Sequence, residues 1–300
     1  MVDNDVVEKY RDRQYTKVYE KGGPVRSVSL FSTGIGEGHY EHIYGSQKPA
    51  LWWIFRGRRW VTIPLNVFVI EHEDGVILFD AGMDRKVVTD PNYWPEGFTG
   101  KVMSNLFKFH IGPEETVPKQ LHKLGYSMDD INKIVFSHLH ADHVGDLSQI
   151  TNAELIVDKE GWQNMLGPHP DRHMVFRNYI DLPGLKWNKI SLTPINDPSL
   201  KPFTHAYDIM GDGSMVLLQT PGHLEGSLSM LVRSKGAPPM LLIGDLSYGV
   251  EFIERYQFPA TGNKKELKES FSKVIELKKR IPDLVIIASH DTGAAEYIKK

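Results

Sequence analysis

The 300-residue chain predicts an α/β protein in which two β-sheets are sandwiched between helices. Three observations point there. Short apolar runs alternate with helical patterns in two stretches of sequence. A proline-rich, aromatic-punctuated segment lies between those stretches. No short-period repeat, low-complexity tract or clear linker divides the chain, so residues 1–300 read as a single domain.

The elements follow in order. Residues 65–71 and 75–80 read as a hairpin that turns through His72-Glu73-Asp74-Gly75. Residues 117–124 form a short helix ending near Gly125, and the apolar run Ile134-Val135-Phe136 is a buried strand. Residues 153–157 are a strand and 159–166 a short helix. The middle segment is interrupted by Pro168, Pro170, Pro183, Pro194, Pro198 and Pro202, and reads as functional loop, because Phe176, Tyr179, Trp187 and Phe203 are too aromatic for a disordered tract. Regular structure then resumes with strands at 214–219, 227–232 and 240–243. Residues 264–281 make an amphipathic helix with Leu267, Phe271, Val274 and Ile281 along one stripe, and residues 284–289 close as a buried strand.

Composition excludes several function classes. Thirty-five basic against 38 acidic residues leave a formal net charge of −3, which offers no bulk attraction to nucleic acid or to an anionic membrane. The apolar runs are too short to span a bilayer, and no apolar leader follows the charged N-terminus, so the expected location is cytoplasmic. There is no cysteine. Disulfides, thiolate ligands and a cysteine nucleophile are all excluded, and any metal site must be built from histidine and carboxylate.

The run Ser137-His138-Leu139-His140-Ala141-Asp142-His143 directly follows a predicted buried strand. A loop at a strand end can aim alternate side chains at one point, and imidazole nitrogen with carboxylate oxygen suits borderline cations such as zinc. Four potential ligands exceed what one catalytic ion usually takes from protein. Two adjacent ions, and so a hydrolase, are the expectation. Three later groups also sit at strand ends: His223 in Thr220-Pro221-Gly222-His223, Asp245 after Gly244, and His290 after Ser289.

The set His138-x-His140-x-Asp142-His143, His223, Asp245 and His290 resembles the five-motif signature of the metallo-β-lactamase superfamily, over residues from about 65 to 291. Asp80, in Phe79-Asp80-Ala81-Gly82, matches the first motif, where the aspartate supports the site without binding metal. The resemblance implies the superfamily's αβ/βα sandwich, with two mixed sheets flanked by helices. It assigns His138, His140 and His223 to one divalent ion and Asp142, His143 and His290 to the other. Asp245 and a hydroxide would bridge the pair, with Zn2+ the expected metal. Manganese, iron and cobalt suit the same donors.

Within that superfamily, Asp245 stands where the commonest zinc β-lactamases have cysteine, and His140 stands where redox flavodiiron members have glutamate. The added motifs and basic region of the nucleases are not recognisable here, nor are the glutathione-binding basic residues of the thioesterases. Asp245-Leu246-Ser247-Tyr248 is similar instead to the Asp-x-Ser-Tyr element of the N-acyl homoserine lactone lactonases, the quorum-quenching branch. The resemblance implies attack of a metal-bridging hydroxide on the lactone carbonyl, with a hydrogen bond from Tyr248 to the oxyanion and proton relay through Asp142 to the leaving oxygen.

A small-molecule lactone is therefore the expected partner, with no nucleic acid or membrane. A homodimer is suggested by the resemblance and by the aromatic N-terminal region. Trp52, Trp53, Phe55 and the aromatics of the middle segment are candidates for an acyl-chain surface. His39, His42, His110, His169, His173 and His205 match no motif and are read as non-ligands. Three alternatives stay open: another lactone such as a pyridoxine-derived one, an organophosphate ester, or a non-catalytic protein that binds lactone or metal.

Overall fold

The computed structural model describes residues 14–19 and 22–299. The first sheet has eight strands: β1 (Gln14–Val18), β2 (Val25–His39), β3 (Trp60–His72), β4 (Gly75–Phe79), β5 (Phe107–His110), β6 (Ile131–Val135), β7 (Glu154–Asp158) and β8 (Lys186–Ile190). They run in the order β1-β2-β3-β4-β6-β7-β8, with β5 paired to β2. The second sheet has six strands: β9 (Thr193–Pro194), β10 (His205–Asp208), β11 (Met215–Gln219), β12 (Leu228–Val232), β13 (Met240–Leu242) and β14 (Val285–Ile287). Both sheets are mixed. β4, β6, β7 and β8 are parallel neighbours beside antiparallel β1 to β4, and β13 pairs in parallel with β14 while the other pairs of the second sheet are antiparallel.

The period of two along each strand decides the layers. Phe68, Ile70, Ile77 and Phe79 point into the space between the sheets, where they meet Leu217, Met230 and Leu242. Their neighbours Val67, Val69, Val76 and Leu78 point outward and are covered by Val117 and Leu121 of one helix (Val117–Lys123) and by residues of the segment after β6. On the far side, Val216, Leu218 and Leu241 pack against Leu267, Phe271, Val274 and Leu277 of the helix Lys264–Arg280. Both faces of the central strands are buried. They therefore read in sequence as apolar runs rather than as an alternation of apolar and polar residues.

The expected hairpin is present as β3 and β4, although β3 begins at Trp60 rather than near residue 65. β2 is the element that the sequence hides. Its 15 residues contain Gly34, Gly36 and Gly38 and several serines, a composition that is poor for a strand. It is nevertheless paired on both edges and almost entirely buried. A register shift between Ser32 and Ile35 bends it around Gly34. Gly34 has φ +116°, and a Cβ there would lie 2.7 Å from the His110 carbonyl oxygen. The middle segment is also more ordered than a loop. It supplies β8, an edge strand whose exposed lysines suit a sheet border, and a short helix, Arg177–Ile180.

This topology places the site. β4 and β6 are parallel neighbours, so the turns carrying Asp80 and Ser137 leave the sheet side by side. β13 and β14 are parallel as well, which brings Asp245 and His290 together. The carboxyl ends of strands in an open α/β sheet are where ligands bind.

Candidate metal centre

Two sharp turns bring the sheets into contact at the site. Gly244 adopts φ +54°, and a Cβ there would come within 2.6 Å of the Ser137 Cβ, so the close approach of the two loops requires glycine. The Leu228 amide donates to the Ser137 carbonyl at 2.8 Å, which ties the histidine run to the second sheet. Asp80, held at φ 65°, accepts the Ser137 amide at 2.7 Å, the Ser137 hydroxyl at 2.8 Å and His143 Nδ1–H at 2.7 Å. One aspartate thus shapes the loop and orients a ring, as expected of a group that supports the site without facing its centre.

All seven residues expected as ligands converge. Among the described residues, ligand atoms of His138, His140 and His223 lie within 4.8 Å of one another, as do those of Asp142, His143 and His290, and Asp245 groups with His138 and His143. The Asp245 oxygens face opposite groups. Oδ2 lies 3.6 Å from His223 Nε2, and Oδ1 lies 3.3 Å from His143 Nε2 and 3.2 Å from His290 Nε2.

The outer nitrogens of four rings have acceptors. His138 Nδ1 donates to the Ser137 hydroxyl oxygen at 3.0 Å, His140 Nε2 to the His173 carbonyl at 2.9 Å, His143 Nδ1 to Asp80, and His290 Nδ1 to the Pro64 carbonyl at 2.8 Å. In a neutral ring held this way, as at His138 and His140, the proton is outside and the inner nitrogen presents a lone pair. His138 Nε2 and His140 Nδ1 then face each other at 2.9 Å, and His223 Nε2 reaches His140 Nδ1 at 3.0 Å. Lone pairs that close repel unless a cation lies among them. His143 Nε2, His290 Nε2 and Asp245 Oδ1 are buried and have no hydrogen-bond partner among the described residues. This donor set fits two divalent ions.

The electrostatics divide the same way. Burial lowers His138 and His140 and brings His223 to about 3, so these rings are neutral, the form that ligates metal. Burial also opposes charging His143 and His290. Asp245 and Asp142 outweigh it for both, aided at His143 by Asp80, raising His143 well above the usual range and His290 to about 10. Without metal, protons on these two rings balance the buried carboxylates, and a cation bound between them would take over that role.

Tyr248 closes one side of the centre. Its ring stacks on His290 at 5.5 Å and 20°, and burial with the nearby Asp245 and Asp142 keeps its hydroxyl protonated, well above the usual phenol range. A cavity opens here. Its polar wall includes Asp142, His140, His223, Asp245 and Tyr248, and its apolar wall is Ile63, Trp94, Met103, Phe107, Phe109 and Met174.

The aromatic residues expected as acyl-chain candidates lie in different places. Trp52 and Phe55 face solvent at 40% and 44% exposure, while Trp53 is buried against Leu106 beneath the helix Ala50–Arg56. None of the three lines the cavity. The middle segment does contribute Met174, with Phe176 packed behind it. His42 was not legible as part of the site. It lines the cavity, and its Nε2 lies 3.0 Å from the Tyr248 hydroxyl, a contact across 206 residues that no local signal announces.

The family profile of the metallo-beta-lactamase superfamily matches residues 62–290. The chain belongs to this superfamily. Among curated superfamily proteins, the N-acyl homoserine lactonase AttM of Rhizobium radiobacter is 28% identical over 249 residues, covering 79% of this chain and 86% of the relative. The N-acyl homoserine lactonase of Bacillus thuringiensis is also 28% identical, over 233 residues, covering 77% and 82%. Among solved structures, an N-acyl homoserine lactone hydrolase with N-hexanoyl-L-homoserine at its catalytic metal centre superposes with a TM-score of 0.73 at 22% identity, covering 91% of this chain and 96% of that one. The dizinc lactonase AidC superposes with a TM-score of 0.61 at 17% identity, covering 94% and 92%. These likenesses establish the two-sheet sandwich. Among the described residues, no helix is long and apolar enough to cross a membrane.

Proposed function

We propose that the protein is a dinuclear metallohydrolase that opens the lactone ring of N-acyl homoserine lactones. The observation that carries this reading is the position of Tyr248. A protonated phenol stands over a seven-ligand centre, at the boundary between that centre and an apolar cavity wall. The curated lactonase relatives support the substrate class.

His138, His140 and His223 would hold one ion, and Asp142, His143 and His290 the other, with Asp245 shared and zinc the proposed metal. When bound, such a pair of cations polarises a carbonyl and makes water a nucleophile near neutral pH. The chain's own residues supply the rest. Ile63, Trp94, Phe107 and Met174 take the acyl chain and exclude water from it. Tyr248 donates its hydroxyl hydrogen to the oxygen of the carbonyl as that oxygen gains charge. Asp142, with a side chain 23% exposed at the cavity, takes the proton that the attacking water loses and passes it to the ring oxygen as the C–O bond breaks. The core shared by both sheets supports reading the chain as one domain.

The test is a pH-indicator assay of lactone opening across acyl lengths, with and without chelator, beside a chromogenic phosphotriester. Chelator-sensitive lactone opening is the expected result, with about two metal equivalents by mass spectrometry. Tyr248→Phe should lower kcat by about 100-fold at unchanged metal content. Far faster cleavage of the triester per mole of enzyme would overturn the lactonase reading. Less than one metal equivalent, with no rate on added zinc, would favour a non-catalytic binding protein.

A further inference from the structure

We propose that His42 is a positioning residue for Tyr248, donating a hydrogen bond that aims the phenol's own hydrogen at the substrate carbonyl. The proposal rests on the lactonase reading for the identity of that carbonyl.

His42 lies on the short helix Tyr40–Tyr44 that follows β2, with 1% of its surface exposed. Its backbone is anchored where the Ala260 amide donates to the His42 carbonyl at 3.0 Å. Its ring meets Phe107 edge-on at 5.1 Å and lies 6.1 Å from the Trp53 ring. Nε2 has a partner, the Tyr248 hydroxyl at 3.0 Å, whereas Nδ1 is buried with none among the described residues.

That asymmetry selects the tautomer. A proton on Nδ1 would leave an N–H donor buried without an acceptor, the rarer and costlier defect. The proton therefore belongs on Nε2, and the Tyr248 oxygen accepts it. A phenol hydrogen lies near the ring plane and chooses between two directions. With one side of the oxygen taken by His42, the hydrogen turns to the other, toward the cavity shared with His140, Asp142 and Asp245. Accepting a hydrogen bond also makes the O–H a better donor, because bonds in a chain polarise one another. Packing alone does not account for an imidazole here. Phenylalanine would cover Trp53 and Phe107 without burying a half-satisfied polar ring.

The test is a double-mutant cycle on the metal-loaded enzyme. It measures kcat and KM for a short-chain acyl lactone and metal content in each variant. His42→Phe should lower kcat by about tenfold, part of the ~100-fold that removing an entire oxyanion donor costs. KM should stay within about twofold, with metal content unchanged. His42→Gln should recover most of the rate, because its amide nitrogen reaches where Nε2 was, while His42→Asn, which is too short, should not. In the Tyr248→Phe background, His42→Phe should cost less than about twofold more, because two groups acting as a unit are not additive.

Equal losses from His42→Phe in both backgrounds would overturn the proposal. So would full activity in His42→Phe, or a glutamine variant no better than asparagine. If His42→Phe fails to fold, the glutamine and asparagine pair still decides. Failure of the wild-type enzyme to open any lactone would instead remove the lactonase reading. The same cycle on the ester it does hydrolyse would then test His42.

Discussion

The two halves of the candidate metal centre, three histidines in one and an aspartate with two histidines in the other, reach neutrality by different routes. The His138, His140 and His223 group is held uncharged by burial and mutual crowding. The Asp142, His143 and His290 group is a set of opposed charges, in which aspartates keep two rings protonated until something else neutralises them. The first group is ready for a cation at neutral pH. The second must release protons to accept one, so its occupancy should be the more sensitive to pH. Asp245 belongs to both, with one oxygen toward each.

Removing the shared carboxylate should have the largest effect. Asp245→Ala is expected to cut turnover by more than about 100-fold and to lower bound metal below two equivalents, since even outer partners of ligands cost ~10–100-fold. An Asp245→Ala enzyme with full metal content would break the claim that this residue joins the two groups.

Asp80→Asn should act mainly on one half. It removes the direct carboxylate partner of His143, whereas it reaches His138 only through Ser137, and His140 keeps its bond to the His173 carbonyl. Stepwise chelation should show one ion held about tenfold more weakly and the other nearly unchanged. Equal weakening of both would show that the groups are not separable.

The pH dependence of the chelated protein sharpens the contrast further. His290 titrates near 10 when folded against about 6.5 unfolded, so its contribution is present below 6.5 and is lost as pH rises toward 10. His223 titrates near 3 when folded, so its contribution is present above about 6.5 and is lost as pH falls toward 3. The chelated protein should melt highest near the middle of that range. The metal-loaded protein should lose the alkaline decline, because the ions replace the protons on His143 and His290. Identical alkaline limbs in both would refute the split.

The smallest effect belongs outside the centre. Trp52→Ala is expected to leave kcat and KM within about twofold and stability within about 0.5 kcal/mol, because the ring faces solvent. Trp94→Ala, at the cavity wall, should raise KM for long acyl chains.

The residues of the centre were legible because each sits beside a strong local signal. Four candidate ligands occupy one short run, and His223, Asp245 and His290 each follow an apolar strand. Lys264–Arg280 was legible from its stripe, and β4 from its apolar run. β2 was not, because its glycines and serines belong to a strand whose stability comes from pairing on both edges rather than from its own composition. The cavity wall was not legible either. Trp94, Phe107 and Ile63 come from separate elements, while the conspicuous Trp52 and Trp53 turn to solvent and to the core.

By itself, the sequence determined the donor chemistry of this protein. With no cysteine and with histidine and aspartate at strand ends, the choice of nitrogen and oxygen ligands follows from residue identity and local pattern alone. Only the tertiary structure decided how those donors are tuned. The proton positions on the imidazoles, the division into a neutral and a charged group, the facing of Asp245 and the His42–Tyr248 contact all depend on partners far apart in the chain. Hydrogen bonds and charges act through space at distances of a few ångströms, and only the folded chain sets those distances.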